Sequence, residues 1–430
     1  MKNIIILAYF FPPANFVASD RIAAWAKHLH QFGYYPTIIT RNWNDGQKEL
    51  TDRLVDNSLK HEINDTYEVY RLPYHRTWRD KLNDYPHAPF LSFFRRTLSM
   101  LELVFNNFWM RSIPYSNFYD FTKQLILDNP GKYNLLIASG GHFQLFFLAN
   151  RIKKATNIKW LADYRDEWST YPDAGKKSVL FRFIAQLEAK SELNWTANCD
   201  GFITVSEYWK KTIGSFIKKN GFVVMNGYSS DKNSPDIERI IDLKKLEISY
   251  IGTLYKSQQI EVFIQAITQI INTHQDKIKI VINFIGIESI AGQEERIKKM
   301  VTDYPQFFNF YKRMPKNELA RFYANADLLL ATNFSGIKGW YPVKIFEYSK
   351  ANVPILLCPN DFDVMEKYIK DIHAGYVVNS AEACVEKINE LIVCKLAGKP
   401  TPFSVDKAAL AFYSRENQTK ILAEVLNQIQ

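Results

Sequence analysis

Lys2-Asn3-Ile4-Ile5-Ile6-Leu7-Ala8-Tyr9-Phe10 is a nearly unbroken apolar run, the pattern of a strand buried on both faces of a parallel sheet. Ser19 or Asp20 then caps a helix whose Ile22, Ala23, Ala26 and Leu29 recur at helical spacing, and Gly33 stops it. Further strands are expected at 37–40, 134–138, 158–162, 201–205 and 221–225, with a crossover helix over 143–154. The cycle restarts at Glu247-Ile248-Ser249-Tyr250-Ile251-Gly252, with strands at 279–285, 326–332 and 354–357 and helices opening at Pro315 and Pro342. Repeated βαβ units predict an α/β chain with two Rossmann-like parallel-sheet domains facing across a cleft, where ligands bind. The expected bounds are 1–228 and 246–406, a linker over 229–245 and a terminal helix over 407–430.

The 430 residues are 47% apolar and 23% charged, enough for two or three cored domains. That balance excludes a disordered or collagen-like chain. No apolar run nears the roughly 20 residues that cross a bilayer. Residues 4–11 lack a basic flank and a small-residue cleavage site, so they read as a strand and not a secretory leader. Cys199, Cys358, Cys384 and Cys394 include no CxxC pair, which argues against a zinc or thioredoxin-type site and fits a reducing cytoplasm. The expected location is therefore cytoplasmic. The net charge of +9 is concentrated: residues 1–225 carry +8 and the remainder +1. A basic half suits an anionic partner, or is simply a solvated face. No nucleic-acid module accompanies it, so nucleic acid is not expected.

Residues 74–119 break the rhythm. Tyr74, Trp78, Tyr85, Phe90, Phe93, Phe94, Phe105, Phe108, Trp109, Tyr115, Phe118 and Tyr119 alternate there with Arg76, Arg79, Lys81, Arg95, Arg96 and Arg111. Two readings stand: peripheral contact with the inner face of a membrane, where rings and cations meet anionic headgroups, or a helical insertion packed on the first domain.

GxGxxG after the first strand, GxxxxGK[ST], HExxH and GxSxG are all absent. Asp361-Phe362-Asp363 has the form of a metal-binding pair but sits in a turn after a strand, and reads better as a helix cap. No metal site is expected. The informative stretch is Gly336-Ile337-Lys338-Gly339-Trp340-Tyr341-Pro342-Val343-Lys344-Ile345-Phe346-Glu347-Tyr348. A helix start after a flexible loop offers unpaired N–H groups and a positive dipole end to a diphosphate. Glu347 lies rather over one turn in, within reach of a ribose, unless it only balances the dipole. Lys344 either neutralises phosphate or lies solvated along the surface.

Gly252-Thr253-Leu254-Tyr255-Lys256 follows the first strand of the second domain, where βα loops bind ligands, and Lys256 and Arg313 are candidate phosphate cations. In the first domain Asp163, Arg165 and Asp166 end a strand and form either an active constellation or a loop ion pair. Ser139-Gly140-Gly141-His142 ends a neighbouring strand, where His142 faces the same cleft or caps the next helix.

Taken together the residues resemble GT-B glycosyltransferases of family four over essentially the whole chain. The carrying motifs are Ala8-Tyr9-Phe10-Phe11-Pro12-Pro13 with Ser19-Asp20-Arg21 and Gly33; Asp163-Tyr164-Arg165-Asp166-Glu167-Trp168; Cys199-Asp200-Gly201-Phe202-Ile203-Thr204-Val205-Ser206; Asn226-Gly227-Tyr228; Tyr250-Ile251-Gly252-Thr253-Leu254; and Lys344-Ile345-Phe346-Glu347-Tyr348. The resemblance implies a nucleoside-diphosphate sugar donor on the second domain, with no cofactor or metal required, and retention of configuration. It implies a glycan or lipid-linked acceptor on the first domain, near Asp20 and Arg21, and a role in surface polysaccharide synthesis. It gives Glu347 the ribose, Lys256 and the amides near Trp340, Tyr341, Pro342 and Val343 the diphosphate, with Gly252, Thr253 and Lys344 beside it, and the surroundings of Arg313 the base. Two departures stand out. Gly339 occupies the place of the first of two family glutamates, and Ala14-Asn15-Phe16-Val17-Ala18 replaces a glycine-rich loop. Arg165 stands where many relatives have a histidine. A nucleotide-sugar epimerase and a degenerate, non-catalytic partner subunit remain alternative readings.

Overall fold

Ile4, Ile5, Ile6 and Leu7 are fully buried in strand β1 (Lys2–Ala8), because parallel strands cover the run on both sides and helices cover both faces. Ile4 lies beside Pro36 of β2 (Tyr34–Arg41) and Leu135 of β5 (Tyr133–Ser139). The computed structural model describes residues 1–14, 16–43, 58–74, 77–82, 91–171, 179–229, 240–399 and 403–429. Asn15, Arg76, Tyr85, Phe90, most of the expected linker and the side chains of Trp78 and Arg79 fall outside the described residues.

The chain divides into two units, Met1–Asn226 with Arg415–Gln430, and Gly227–Ser414. The first contains β1, β2, β3 (Lys60–Ile63), β4 (Glu68–Leu72), β5, β6 (Lys159–Tyr164), β7 (Gly201–Thr204) and β8 (Gly221–Val223), ordered β3-β4-β2-β1-β5-β6-β7-β8. Among the described residues only β3 runs antiparallel there, as an exposed edge on β4. The second has β9 (Lys245–Ile251), β10 (Lys279–Ile285), β11 (Phe308–Tyr311), β12 (Leu328–Ala331), β13 (Ile355–Leu357) and β14 (Gly375–Val377), all parallel in the order β11-β10-β9-β12-β13-β14. Its core joins Ile248 and Tyr250 to Phe263, Ile267 and Ile271 of the helix Glu261–His274.

The end of the chain differs from the single helix expected at 407–430. A short helix, Lys407–Ala411, stays with the second unit, and Arg415–Ile429 returns to the first. There Leu422, Val425 and Leu426 join the core around Ile22 and Trp25. The Tyr34 hydroxyl donates to Asn427 at 2.7 Å, and the Met225 N–H to Gln418 at 2.8 Å. Pro315 and Pro342 are N-caps of helices that begin one residue later, so their fixed φ sets the entry and not the first turn.

Candidate functional site

In the second unit the strand order reverses between β9 and β12, and that switch point is where an open parallel sheet leaves a crevice at its carboxyl ends. Two loops flank it. Gly252 ends β9 at φ +105° with open space where a side chain would stand, a conformation and a vacancy that suit close backbone approach. Residues 332–342 follow β12. The loops are tied together: the Ser335 N–H donates to the Ser257 carbonyl at 3.0 Å, and Gln258 accepts from the Tyr250 hydroxyl and the Tyr255 N–H. Trp340 lies edge-on to Phe334 at 3.6 Å and to Tyr255 at 5.7 Å.

The helix Val343–Lys350 opens beside this point, and Pro342 supplies no side-chain cap. The Tyr348 hydroxyl pins it to the end of β9, accepting the Ile251 N–H at 2.9 Å and donating to the Ile251 carbonyl at 3.2 Å. Tyr341 stacks on Phe346. Of the two readings of Lys344, the solvated side chain along the surface is corrected. Its Nζ is enclosed 3.6 Å from the centre of the Tyr250 ring and has no hydrogen-bond partner. Desolvation holds its pKa well below the usual lysine value. Glu347 lies near Tyr323, whose hydroxyl pKa is raised by burial and by that carboxylate.

Thr253 meets Ser289 at 3.2 Å through their hydroxyls, and Lys256 is exposed. The Cα atoms of Gly252 and Arg313 are 3.6 and 3.8 Å from where a Cβ on Gly286 would stand, so the ends of β9, β10 and β11 converge. Arg313 is exposed, and its N–H donates to Glu288 at 2.7 Å. Gly339 is buried at φ +74°, and its N–H donates to Asp363 Oδ2. Asp361 accepts the Asp363, Met365 and Glu366 N–H groups, which makes it a turn and helix-start cap. Among the described residues no cluster of three or more His, Cys, Asp or Glu side chains is placed to hold a metal.

The first unit sorts its candidates differently. Asp163 is fully buried, pairs with Arg21 at 3.0 Å and accepts the Ser139 hydroxyl at 2.8 Å. Arg21 also donates to the Val224 and Met225 carbonyls at 2.8 and 3.0 Å. Asp163 and Arg21 are therefore an internal brace and do not line an open site, because a guanidinium needs this many acceptors when it leaves water. Asp20 pairs with Arg415 at 3.2 Å, which binds the terminal helix. Arg165 is half-buried and its Nε donates to the Gly140 carbonyl at 2.7 Å, so the Gly140-Gly141 turn and the Arg165 loop do meet. Asp166 is exposed beside it.

His142 belongs to a feature the sequence reading did not isolate. The ends of β1, β2, β4 and β5 and the helix Leu91–Phe108 enclose a cavity of about 280 Å³ lined by Tyr9, Phe10, Trp43, Tyr74, Tyr115, Arg41, Asp80, Glu102, Asn106 and His142, among others. The His142 ring lies 3.8 Å from that of Tyr9. Tyr9-Phe10 and Arg41-Asn42-Trp43 at successive strand ends were the available signal.

Residues 232–402 match the family model described as glycosyl transferases group 1. The fold is similar to sucrose-phosphate synthase from Thermosynechococcus elongatus, with a TM-score of 0.64 at 12% identity over 100% of this chain and 99% of that one. A glycosyltransferase from Rickettsia africae ESF-5 gives a TM-score of 0.60 at 12% identity, over 100% and 99%. Anabaena Alr3699/HepE in complex with UDP and glucose gives 0.57 at 11% identity, over the whole of both chains. No curated protein matches the chain.

Proposed function

We propose that this chain, a glycosyltransferase of the GT-B fold whose residues 232–402 are its group 1 glycosyl transferase domain, moves a sugar from a nucleoside-diphosphate donor held by the second unit to a glycan or lipid-linked acceptor held by the first. The observation that carries the donor assignment is Lys344. A buried, unpartnered amine in the first turn of a helix meets two unfavourable conditions, desolvation and the positive end of the helix dipole. An anion at that helix start offsets both. The exposed cations Lys256 and Arg313, on the loops that end β9 and β11, suit the same charge. The resemblance of HepE, which is described in complex with UDP and glucose, supports a nucleotide-sugar donor.

In this reading the N–H groups at the start of Val343–Lys350 and the nearby cations stabilise charge that grows on the departing nucleoside diphosphate, with no covalent nucleophile needed. Glu347 takes the ribose. Asp363, bonded to the Gly339 N–H, brings a carboxylate to the place where the family's first glutamate is missing, and reads the donor sugar. Retention of configuration and surface polysaccharide synthesis follow from the family resemblance and belong to this proposal.

The acceptor side favours a lipid surface. In the helix Leu91–Phe108, Glu102 and Asn106 line the cavity while Phe94, Leu101, Phe105 and Phe108 are exposed. An outward apolar face beside Arg95 and Arg96 suits an anionic bilayer. No helix among the described residues is long and apolar enough to cross a membrane, and the contact proposed is a peripheral one.

The test is a transfer assay with a panel of labelled nucleotide sugars and lipid-linked glycan acceptors. Glu347→Ala is expected to weaken donor binding, and Lys256→Ala to slow transfer. Full activity in both purified variants would refute the assignment. Flotation with anionic vesicles is expected to fall when Arg95 and Arg96 are neutralised; flotation that ignores the change removes the membrane contact.

A further inference from the structure

The wall of the first unit's cavity holds a guanidinium two of whose nitrogens have no hydrogen-bond partner among the described residues. Arg41 ends β2, is 2% exposed and forms part of the cavity wall. Its guanidinium carbon lies 4.3 Å from the centre of the Trp43 ring and 3.9 Å from that of Tyr74. Nη1 donates to the Tyr9 hydroxyl at 2.7 Å. Nε and Nη2 are shielded from water and find no acceptor. Those two nitrogens share one edge of the guanidinium, the edge that meets both oxygens of a carboxylate or phosphate side by side.

The carboxylates in the same wall do not supply that partner. Asp80 Oδ2 accepts the Tyr74 hydroxyl at 2.8 Å and the Thr77 N–H at 3.0 Å. Glu102 stands on the helix Leu91–Phe108 and does not accept from Nε or Nη2 of Arg41. A neutral hydroxyl entering the cavity would satisfy one orphaned N–H and leave the charge uncompensated. The rest of the wall has the mixed character that holds a sugar: the flat rings of Tyr9, Trp43 and Tyr115, with the amides of Asn106 and Gln144 between them. At about 280 Å³ the space lies at the lower end of small-ligand pockets.

We propose that this cavity binds a saccharide ring bearing an oxyanion, carboxylate or phosphate, whose charge Arg41 balances from the wall while the ring lies against the aromatic side chains. That the sugar is the acceptor rests on the transferase reading above; that the cavity selects an acidic sugar does not.

Trp43 reports on the site. The full chain is titrated with glucuronate, galacturonate, glucose 6-phosphate and methyl glucoside while tryptophan fluorescence is followed, and Trp43→Phe identifies the part of the signal that belongs to the cavity. At least one acidic sugar is expected to bind about tenfold more tightly than methyl glucoside. A preference for the uronates assigns a carboxylate, and a preference for glucose 6-phosphate assigns a phosphate. Arg41→Gln is expected to bring acidic and neutral sugars to about the same affinity, and Arg41→Lys, which keeps the charge and loses the fork, to an intermediate ratio. Equal affinity of acidic and neutral sugars for the wild-type chain, no saturable response to any acidic sugar, or a preference that survives Arg41→Gln overturns the proposal. Should Arg41→Gln fail to fold, the wild-type ratio and Arg41→Lys decide it. Nucleoside diphosphate binding, followed in the same samples, fails or survives separately and reports only on the donor assignment.

Discussion

The Nη2 atom of Arg165 lies 1.8 Å from where a Cβ on Gly141 would stand, so the arginine occupies the space that the glycine leaves free. Gly141 also has φ +105°, where side chains are strained. Gly141→Ala is therefore expected to displace the guanidinium and to cost about 1–3 kcal/mol from the backbone alone. If Arg165 acts at the reacting sugar, transfer falls well beyond the stability loss while nucleotide affinity stays within about twofold. Denaturant melts and single-turnover kinetics on the same preparation separate the two effects. Unchanged transfer removes Arg165 from the reaction.

Asp163 is the residue for which the structure most clearly replaces a catalytic expectation with a structural one. Asp163→Ala leaves the Arg21 guanidinium buried and without the carboxylate that pairs with it. Removing one partner of such a pair costs about 3–5 kcal/mol. Urea unfolding followed by fluorescence would register the loss. A variant as stable as the wild type contradicts the brace.

Burial raises the Glu167 carboxyl from its usual 4.5 to about 7, with a smaller push from Glu192 and an opposing bond from Thr170. The folded state then holds a proton that the unfolded state has released between those two values. Stability from this group is full below about 4.5 and is lost as pH rises through about 7, by an amount on the order of 3 kcal/mol. Glu167→Gln keeps an acceptor for Thr170 and cannot ionise. Its melting temperature is expected to exceed the wild type's at pH 8 and to converge on it near pH 4.5. Parallel pH profiles would contradict the shift.

What could be read from the chain follows burial. β1 and β9 were legible because Ile4-Ile5-Ile6-Leu7 and Ile248-Ser249-Tyr250-Ile251 are central strands enclosed on both faces. β3, Lys60-His61-Glu62-Ile63, was not, because an exposed antiparallel edge needs no apolar pattern. β4 hid behind Glu68, whose buried carboxylate is bonded by Thr37, His61 and Tyr70. In the site, the loop-to-helix stretch 336–348 was visible because its chemistry is local. The cavity was not, since Tyr9, Arg41, Tyr74 and His142 meet only through the strand order β4-β2-β1-β5. The burial of Lys344 was hidden for a similar reason: its contact with Tyr250 spans the chain from β9 to the helix Val343–Lys350.

Lys344 also makes a prediction of opposite sign for folding and for binding. The unfolded chain holds the lysine proton up to about pH 10.5, while the buried amine resists it. The wild type therefore carries a penalty at pH 7 that shrinks as pH rises toward that value. Lys344→Met fills the same space without the penalty and is expected to melt higher than the wild type at pH 7. A lower melting temperature would mean the amine is bonded in the folded state.

The most direct test of the donor assignment is calorimetric titration of UDP, GDP and ADP into the wild-type chain and into Lys344→Met. Saturable binding of at least one nucleotide by the wild type, weakened about tenfold or more in a variant that is folded and no less stable, is the predicted result. Equal affinity in the two proteins, or no binding of any of the three by the wild type, would contradict the claim that this helix start grips the diphosphate.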